Sequence, residues 1–214
     1  MKKDLTELVF IVDRSGSMHG LEADTIGGLN STLDKNRALP GEVNVSLVLF
    51  DNTSEVILDR RPLGEVPTLT RSDYMVGGCT ALLDAVGDAV HYHVKVQKIL
   101  PKSHRAEHMV VVIITDGMEN ASTHRTYKEV KRLIERQQKR GWEFLFLGAN
   151  IDAAAEAGRI GIAANRASQY KADGKGSRIA YDAVARAQCE TRMVGAPSAC
   201  WNEAPLADVA SRGR

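Results

Sequence analysis

The stretch that decides the fold is VFIVDRSGSM, residues 9–18. Its first four residues are apolar without alternation, which is typical of a strand buried on both faces of a parallel sheet. Asp13, Ser15 and Ser17 then follow at alternate positions, where the strand leaves the sheet. Ligands of open α/β sheets bind at this carboxyl edge of the strands. We therefore expect one carboxylate and two hydroxyls to converge on a ligand at that edge.

Two later segments deliver further oxygen donors to the same edge. Residues 109–114 (MVVVII) form a second fully apolar run, and Asp116 follows it closely. Residues 77–79 (GGC) lead into a helix that has Thr80 near its start. The complete set, Asp13, Ser15, Ser17, Thr80 and Asp116, contains only hard oxygen donors, which suit Mg²⁺ or Mn²⁺ rather than zinc.

The remaining chain alternates strands and helices. Strands are expected at residues 5–12, 43–50, 55–63, 109–114, 142–147 and 168–171, with helices between most of them. The third strand follows the second after a short turn and should pair with it as an antiparallel edge. The sequence thus predicts an α/β fold, a doubly wound, Rossmann-like three-layer sheet that is mostly parallel with one antiparallel edge strand.

Residues 1–190 are predicted to form one domain, followed by a C-terminal tail at residues 191–214. The tail has no periodicity and is predicted to be flexible. Trp201 supports the alternative that the tail docks on the domain. In the first helix, Gly27 and Gly28 are interpreted as a place where helix and sheet pack closely.

Composition limits the classes of function. The chain has 214 residues and a formal net charge of +1, so nothing indicates nucleic acid or an anionic membrane as a partner. The three cysteines are scattered, which indicates a reducing compartment rather than a disulfide framework. The first apolar run is short and leads straight into the Asp-Ser-Ser stretch, unlike a signal peptide. We expect a cytoplasmic protein.

The five oxygen donors, in this order and on these elements, resemble the metal-ion-dependent adhesion site of von Willebrand factor type A domains. The resemblance covers about residues 5–190. It implies a Mg²⁺ at the carboxyl edge, often bound directly by the serines and the threonine and through water by the aspartates. It also implies an open coordination position that takes an Asp or Glu of a partner protein. Intracellular members of the family often serve as adaptors, including for AAA+ ATPase assemblies.

The resulting hypothesis is a non-catalytic, Mg²⁺-dependent protein-binding module inside the cell. The alternative is a Mg²⁺-dependent hydrolase or phosphotransferase that uses the same site. Such an enzyme usually needs a general base or nucleophile beside the metal. Only His19, Glu119 and Ser15 qualify, and none stands in a recognisable arrangement. Residues 174–177 (GKGS) lack the preceding strand and the glycine spacing of a phosphate-binding loop.

Several other features favour ordinary structural roles. His91 and His93 are two apart on a helix and face different ways, and no zinc site is expected from the histidines. His19 and Glu119 follow the metal loops closely. They are interpreted as ordinary surface residues, with a role in shaping the rim or contacting a partner as the alternative. Cys79 is interpreted as a small buried thiol. Arg14 points away from the ion and has no assigned role. The basic residues of one helix are interpreted as a solvated face: Lys128, Lys131, Arg132, Arg136, Lys139 and Arg140.

Overall fold

The computed structural model describes residues 1–213 and contains one six-stranded sheet. Its strands are β1 (Lys2–Asp13), β2 (Glu42–Phe50), β3 (Ser54–Pro62), β4 (Ala106–Thr115), β5 (Trp142–Ala149) and β6 (Ala167–Tyr170). Their spatial order is β3-β2-β1-β4-β5-β6. Only β3 pairs antiparallel, with β2, and the other neighbours are parallel. The predicted fold class is confirmed.

Helices cover both faces of this sheet. They are α1 (Glu22–Arg37), α2 (Leu82–Ile99), α3 (Tyr127–Gln138), α4 (Ala153–Arg159), α5 (Gly174–Val194) and α6 (Glu203–Ser211). Alternate residues of β1 serve the two layers of the core. Phe10 and Val12 pack on the side of α1 and α5, whereas Val9 and Ile11 pack on the side of α2 and α3. Burial on both faces explains why the apolar run in β1 has no alternation.

The central position of β1 fixes where the candidate site lies. β1 has β2 on one side and β4 on the other, both parallel to it. The register pairs Asp13 with Phe50 of β2, and Val12 with Ile114 of β4. Asp13 and Asp116 therefore leave the sheet side by side. Within residues 1–213, no helix combines the length and the apolar character that crossing a membrane requires.

The segment after residue 190 differs from a frayed tail, and the docked alternative holds for its described part. Trp201 is 3% exposed, and its indole Nε1 donates to the carbonyl oxygen of Asn165 at 2.8 Å. Asn202 Nδ2 donates to the carbonyl oxygen of Ala167 in β6 at 2.7 Å. These contacts anchor helix α6 on the edge of the sheet. The last residue of the predicted tail, Arg214, lies outside the described residues.

Gly28 packs against another helix rather than against the sheet. A methyl group added at Gly28 would lie 2.2 Å from Cδ2 of Tyr181 in α5, whereas nothing lies within 4 Å of one at Gly27. The two helices therefore approach closely only at Gly28, and the ring of Tyr181 fills the space that the missing side chain leaves. The interpretation of helix-on-sheet packing was wrong, because α5 covers α1 at this point.

Candidate metal centre

The loop after β1 is shaped by its own polar side chains. The backbone N–H of Ser15 donates to Asp13 Oδ1 at 2.7 Å, which turns the chain out of the sheet. A short 3₁₀ helix, Gly16–Met18, follows and buries Met18 in the core. This turn brings Ser15 Oγ within 3.1 Å of Ser17 Oγ. Both hydroxyls lie on the same side of the loop, as alternate spacing predicts.

Backbone hydrogen bonds hold the loop before α2 against the loop after β1. The N–H of Gly16 donates to the carbonyl oxygen of Gly78 at 3.0 Å, and the N–H of Gly77 donates to that of Arg14 at 2.8 Å. Gly78 has φ of +80°, a conformation that glycine adopts without strain. A methyl group there would lie 2.3 Å from Asn52 Oδ1. The two backbone hydrogen bonds hold the segment just before Thr80 against the loop that carries the serines.

All five predicted residues come together at the carboxyl edge of β1 and β4. Ser17 Oγ donates to Asp116 Oδ1 at 2.6 Å. A methyl group at Gly117 would lie 3.0 Å from Thr80 Oγ1 and 3.4 Å from Ser17 Oγ. Gly117 therefore leaves room where the hydroxyls and the carboxylate converge. The arrangement brings two carboxylates and three hydroxyls into one cluster.

The two carboxylates are buried and carry no compensating charge from the protein. Asp13 is 0% exposed and Asp116 is 7% exposed. In the chain through residue 213, no Lys, Arg or His side chain forms an ion pair with either. Burial raises the pKa of both groups. Hydrogen bonds from Thr115 and Ser15 oppose the increase at Asp13, and the hydrogen bond from Ser17 opposes it at Asp116.

A divalent cation fits this arrangement electrostatically. Uncompensated buried charge is costly, and a bound cation removes that cost. The donor set is composed of carboxylate and hydroxyl oxygens, the ligands that Mg²⁺ and Mn²⁺ prefer. Among the described residues, no group of three or more His, Cys, Asp or Glu side chains is placed to hold a metal ion. The hydroxyls are therefore essential to any metal site at this edge.

Thr115 and Tyr74 orient Asp13 and were not predicted as site residues. Thr115 Oγ1 donates to Asp13 Oδ2 at 2.6 Å, so both carboxylate oxygens of Asp13 accept a hydrogen bond. The hydroxyl of Tyr74 donates to the carbonyl oxygen of Asp13. Thr115 directly precedes Asp116, so its position in the sequence was a usable signal. Tyr74 lies in a long loop, and no sequence pattern around it indicates its role.

Glu119 is a third supporting residue, and the sequence interpretation missed its role. Its carboxylate accepts from the backbone N–H of Leu83 at 2.8 Å, at the start of α2. It also accepts from the N–H of Ala121 at 3.0 Å and from the N–H and Oγ of Ser122, both at 2.7 Å. Glu119 thus ties the loop that carries Asp116 to the helix that follows Thr80.

Asn120 completes this connection. Its Oδ1 accepts from the N–H of Thr80 at 2.9 Å. The N–H groups of Asn120 and Ala121 donate to the carbonyl oxygen of Thr80 at 3.0 and 3.2 Å. The loop after β4 therefore holds both polar groups of the Thr80 backbone. No local pattern announces this, because the partners are 40 residues apart in the chain.

Arg14 has a structural role at the rim. Its Nε lies 2.9 Å from Asp51 Oδ2, and its Nη1 lies 2.5 Å from Glu55 Oε2. These ion pairs join the loop after β1 to the turn after β2 and to the start of β3. Cys79 is exposed, so the interpretation as a buried thiol was wrong. The backbone N–H of Cys79 donates to Asn52 Oδ1 at 2.8 Å, and both residues lie at the surface.

The three residues considered for catalysis are occupied in other ways. The side chain of His19 is 87% exposed, and its Nδ1 lies 3.3 Å from Glu22 Oε1. Glu119 accepts the four hydrogen bonds described above, and Ser15 shares a hydrogen bond with Ser17. None of them forms a pair of nucleophile and base with another.

His93 is buried away from the metal edge. It is 1% exposed on α2, whereas His91 is half-buried, so the two histidines face different ways as predicted. Burial lowers the pKa of His93 to about 4, although the neighbouring acids Glu7 and Asp59 act in the opposite direction. The imidazole is therefore neutral at pH 7 and is a core side chain.

Comparison with solved structures identifies the fold. No protein-family model matches the sequence, and neither does any curated protein. A mussel byssus protein, proximal thread matrix protein 1 with a zinc-occupied metal-ion-dependent adhesion site, matches with a TM-score of 0.62 and 15% identity. The match covers 87% of this chain and 46% of the mussel protein, so this chain spans about half the length of that relative.

Two further structures extend the comparison. The von Willebrand factor domain of the pilus tip protein Mfa5 from Porphyromonas gingivalis matches over 92% of this chain and 98% of its own, with a TM-score of 0.61 and 10% identity. Manganese-loaded TRAP protein from Plasmodium vivax matches over 84% of this chain and 73% of its own, with a TM-score of 0.57 and 16% identity. The chain therefore has the fold of the von Willebrand factor type A domains.

Proposed function

We propose that this chain is a non-catalytic protein-binding module whose binding depends on Mg²⁺, with Mn²⁺ as a possible substitute. The ion would be held by Asp13, Ser15, Ser17, Thr80 and Asp116. The observation that carries the proposal is the pair of buried carboxylates with no cationic partner, placed against three hydroxyls. One solved structure of the same fold has a zinc-occupied metal-ion-dependent adhesion site and another is manganese-loaded, which supports a metal ion as the ligand.

The bound ion would supply a Lewis-acidic position that attracts an anionic oxygen ligand. Two aspartates balance the charge of one divalent ion, and the three hydroxyls add no charge. The site would then be near neutral and would accept the carboxylate of a partner's Asp or Glu. Mg²⁺ usually keeps several water ligands, one of which such a carboxylate can replace. The residues of this chain would position the ion and orient the incoming group.

The kind of partner follows from this chemistry. We propose a protein that presents an Asp or Glu to the metal, and an AAA+ ATPase-type assembly as one such partner. A cytoplasmic location belongs to the same proposal. It is supported by the cysteines, because Cys79, Cys189 and Cys200 are all free thiols. No nucleic acid or membrane is part of the proposal, in agreement with the formal net charge of +1.

The proposal is tested by capture of partners from a lysate of the source cells on the immobilised protein. Three conditions are compared: Mg²⁺, EDTA, and Mg²⁺ with the Asp13→Ala variant. We expect one set of proteins to be retained only by the unaltered chain in Mg²⁺. The Asp34→Ala variant is a matched control, because Asp34 is an exposed acid on α1 away from the site. Equal retention in all conditions would contradict the proposal.

A retained partner then allows the acidic ligand to be identified. Each exposed Asp or Glu of the partner is changed to Asn or Gln, and binding is measured in Mg²⁺. One such substitution is expected to abolish the metal-dependent part of the binding, because it removes the carboxylate that the ion takes up. If no single acid matters, the metal supports the fold of the site rather than the contact.

A further inference from the structure

A cavity of about 370 Å³ lies at the opposite end of the molecule from the candidate metal centre. It is open to solvent and lined by the last turns of α2 and α3 and by the first residues of β4 and β5. Its apolar wall is formed by Val94, Met109 and Trp142. Its volume falls within the range of small-molecule sites, which start at about 300 Å³.

Two glutamine side chains that line this cavity have amide donors without acceptors. Gln97 Oε1 accepts from the N–H of Ala106 at 3.1 Å, and Gln137 Oε1 accepts from Arg140 Nη1 at 3.3 Å. These bonds fix which end of each amide is oxygen. The Nε2 atoms of both residues are buried and have no hydrogen-bond partner within the described chain. Gln137 is 1% exposed, so its unmade hydrogen bonds are costly.

The charge around the cavity favours an anion. Lys98, Arg105 and Arg140 line it, and the one acid among the lining residues is Glu107. The ends of α2 and α3 each contribute roughly half a negative charge. Three positive charges against Glu107 and the two helix ends leave an excess of about one positive charge.

Helix α3 strengthens this field on its solvent side. All six of its basic residues, including the two that follow its end, are exposed: Lys128, Lys131, Arg132, Arg136, Lys139 and Arg140. In the described chain only Lys131 among them forms an ion pair, with Glu135 at 3.9 Å. Two acids on the same helix, Glu129 and Glu135, offset part of this charge, and the remaining positive excess attracts anions to this side of the molecule. The solvated face that the sequence predicts therefore carries a net positive charge.

We propose that this cavity binds a small organic carboxylate that carries an apolar body. Gln97, Gln137 and Arg140 donate to its carboxylate, and the apolar body packs on Val94 and Trp142. The volume corresponds to roughly twelve water-sized groups, which sets the ligand at about ten non-hydrogen atoms. The inference is independent of the metal centre, because no residue is shared between the two sites.

The experiment uses the two tryptophans of the chain as internal reporters. Trp142 lines the cavity, whereas the indole N–H of Trp201 is bonded to Asn165 on another edge. Their two indole N–H signals are followed in a ¹H–¹⁵N spectrum while octanoate, octanol or acetate is added. We expect octanoate to shift the Trp142 signal saturably and to leave the Trp201 signal in place. Octanol, which has no charge, and acetate, which has no apolar body, are expected to bind at least about tenfold more weakly.

Variants assign the interaction to the cavity. Gln137→Leu removes the unpartnered donor, and Arg140→Gln removes a lining charge; each is expected to weaken octanoate binding about tenfold. Lys139→Gln removes the same charge from an exposed neighbour that does not line the cavity and is expected to have little effect. If Gln137→Leu shifts the Trp201 signal in the absence of ligand, the substitution has disturbed the fold, and the Arg140→Gln variant, at an exposed position, decides the test. Equal binding of octanol and octanoate, equal effects of Arg140→Gln and Lys139→Gln, or joint movement of both tryptophan signals would overturn the inference.

Discussion

Replacing Glu119 with alanine tests how the loop after β4 supports the candidate metal centre. The substitution removes four hydrogen bonds, one of them to the N–H of Leu83, which is an otherwise unpaired donor at the start of α2. Hydrogen bonds to a charged group contribute about 1.5–3 kcal/mol each when buried. Glu119 is half-buried, so water replaces part of the loss. We expect the free energy of unfolding to fall by about 2 kcal/mol.

The same substitution should weaken metal binding without touching a proposed ligand. Glu119 joins the loop that carries Asp116 to the segment that carries Thr80, so its loss lets the two donors move apart. Residues that orient metal ligands typically contribute 10–100-fold to affinity. Urea unfolding without metal measures the stability, and calorimetric titration with Mn²⁺ measures the affinity. Glu135→Ala removes an exposed glutamate of α3 and serves as the control. An unchanged Mn²⁺ affinity in Glu119→Ala would refute this account of the loop.

Three further predictions concern the fold. Trp201→Ala should lower the free energy of unfolding in urea by about 3 kcal/mol, because it empties a buried aromatic site; a loss below about 1 kcal/mol would mean that the C-terminal segment contributes little. Gly28→Ala should lower the free energy of unfolding by about 1–3 kcal/mol, because the new methyl group clashes with Tyr181. Gly27→Ala places its methyl group in open space and should raise the free energy of unfolding by up to about 1 kcal/mol. A Gly28→Ala variant more stable than Gly27→Ala would contradict this packing. In the folded protein His93 stays neutral down to about pH 4, whereas in the unfolded chain it is protonated below about pH 6.5. The free energy of unfolding should therefore fall by about 3 kcal/mol as the pH drops from about 6.5 to about 4. Urea titrations at about pH 7 and about pH 4.5 should show that His93→Gln removes this contribution to the pH dependence.

The sheet and the five candidate donors were predictable because their signals are local. Val9–Val12 and residues 109–114 are apolar on both faces, which identifies central parallel strands. The alternate spacing of Asp13, Ser15 and Ser17 is enough to predict that their side chains point the same way. Parallel strands end at one edge, which explains why Asp116 could be placed beside them.

The residues that support the site could not be predicted, because their roles depend on partners far along the chain. Glu119 resembles an ordinary loop acid until Leu83, 36 positions earlier, lies beside it. Arg14 has an assigned role only once Asp51 and Glu55 are in place.

The C-terminal segment and Gly28 illustrate the same limit. Trp201 docks through one indole and one hydrogen bond to a residue 36 positions earlier, and neither produces a periodic pattern. The space at Gly28 is filled by Tyr181, which belongs to a helix about 150 residues later in the chain. Packing between distant helices decides such positions, and composition and spacing carry no record of it.

The most direct test of the central claim is a titration of the metal-free protein with Mn²⁺, followed by the electron paramagnetic resonance signal of the free ion. The account predicts one tight Mn²⁺ per chain. Asp13→Asn removes a carboxylate charge and Thr80→Ala removes a hydroxyl donor. Each should weaken binding by roughly 100-fold or more, since residues that only orient a metal ligand already contribute about 10–100-fold. Asp34→Asn, an exposed acid of α1, should leave binding unchanged. Binding of the same strength in Asp13→Asn, or no saturable binding by the unaltered chain, would contradict a metal centre at this edge of the sheet.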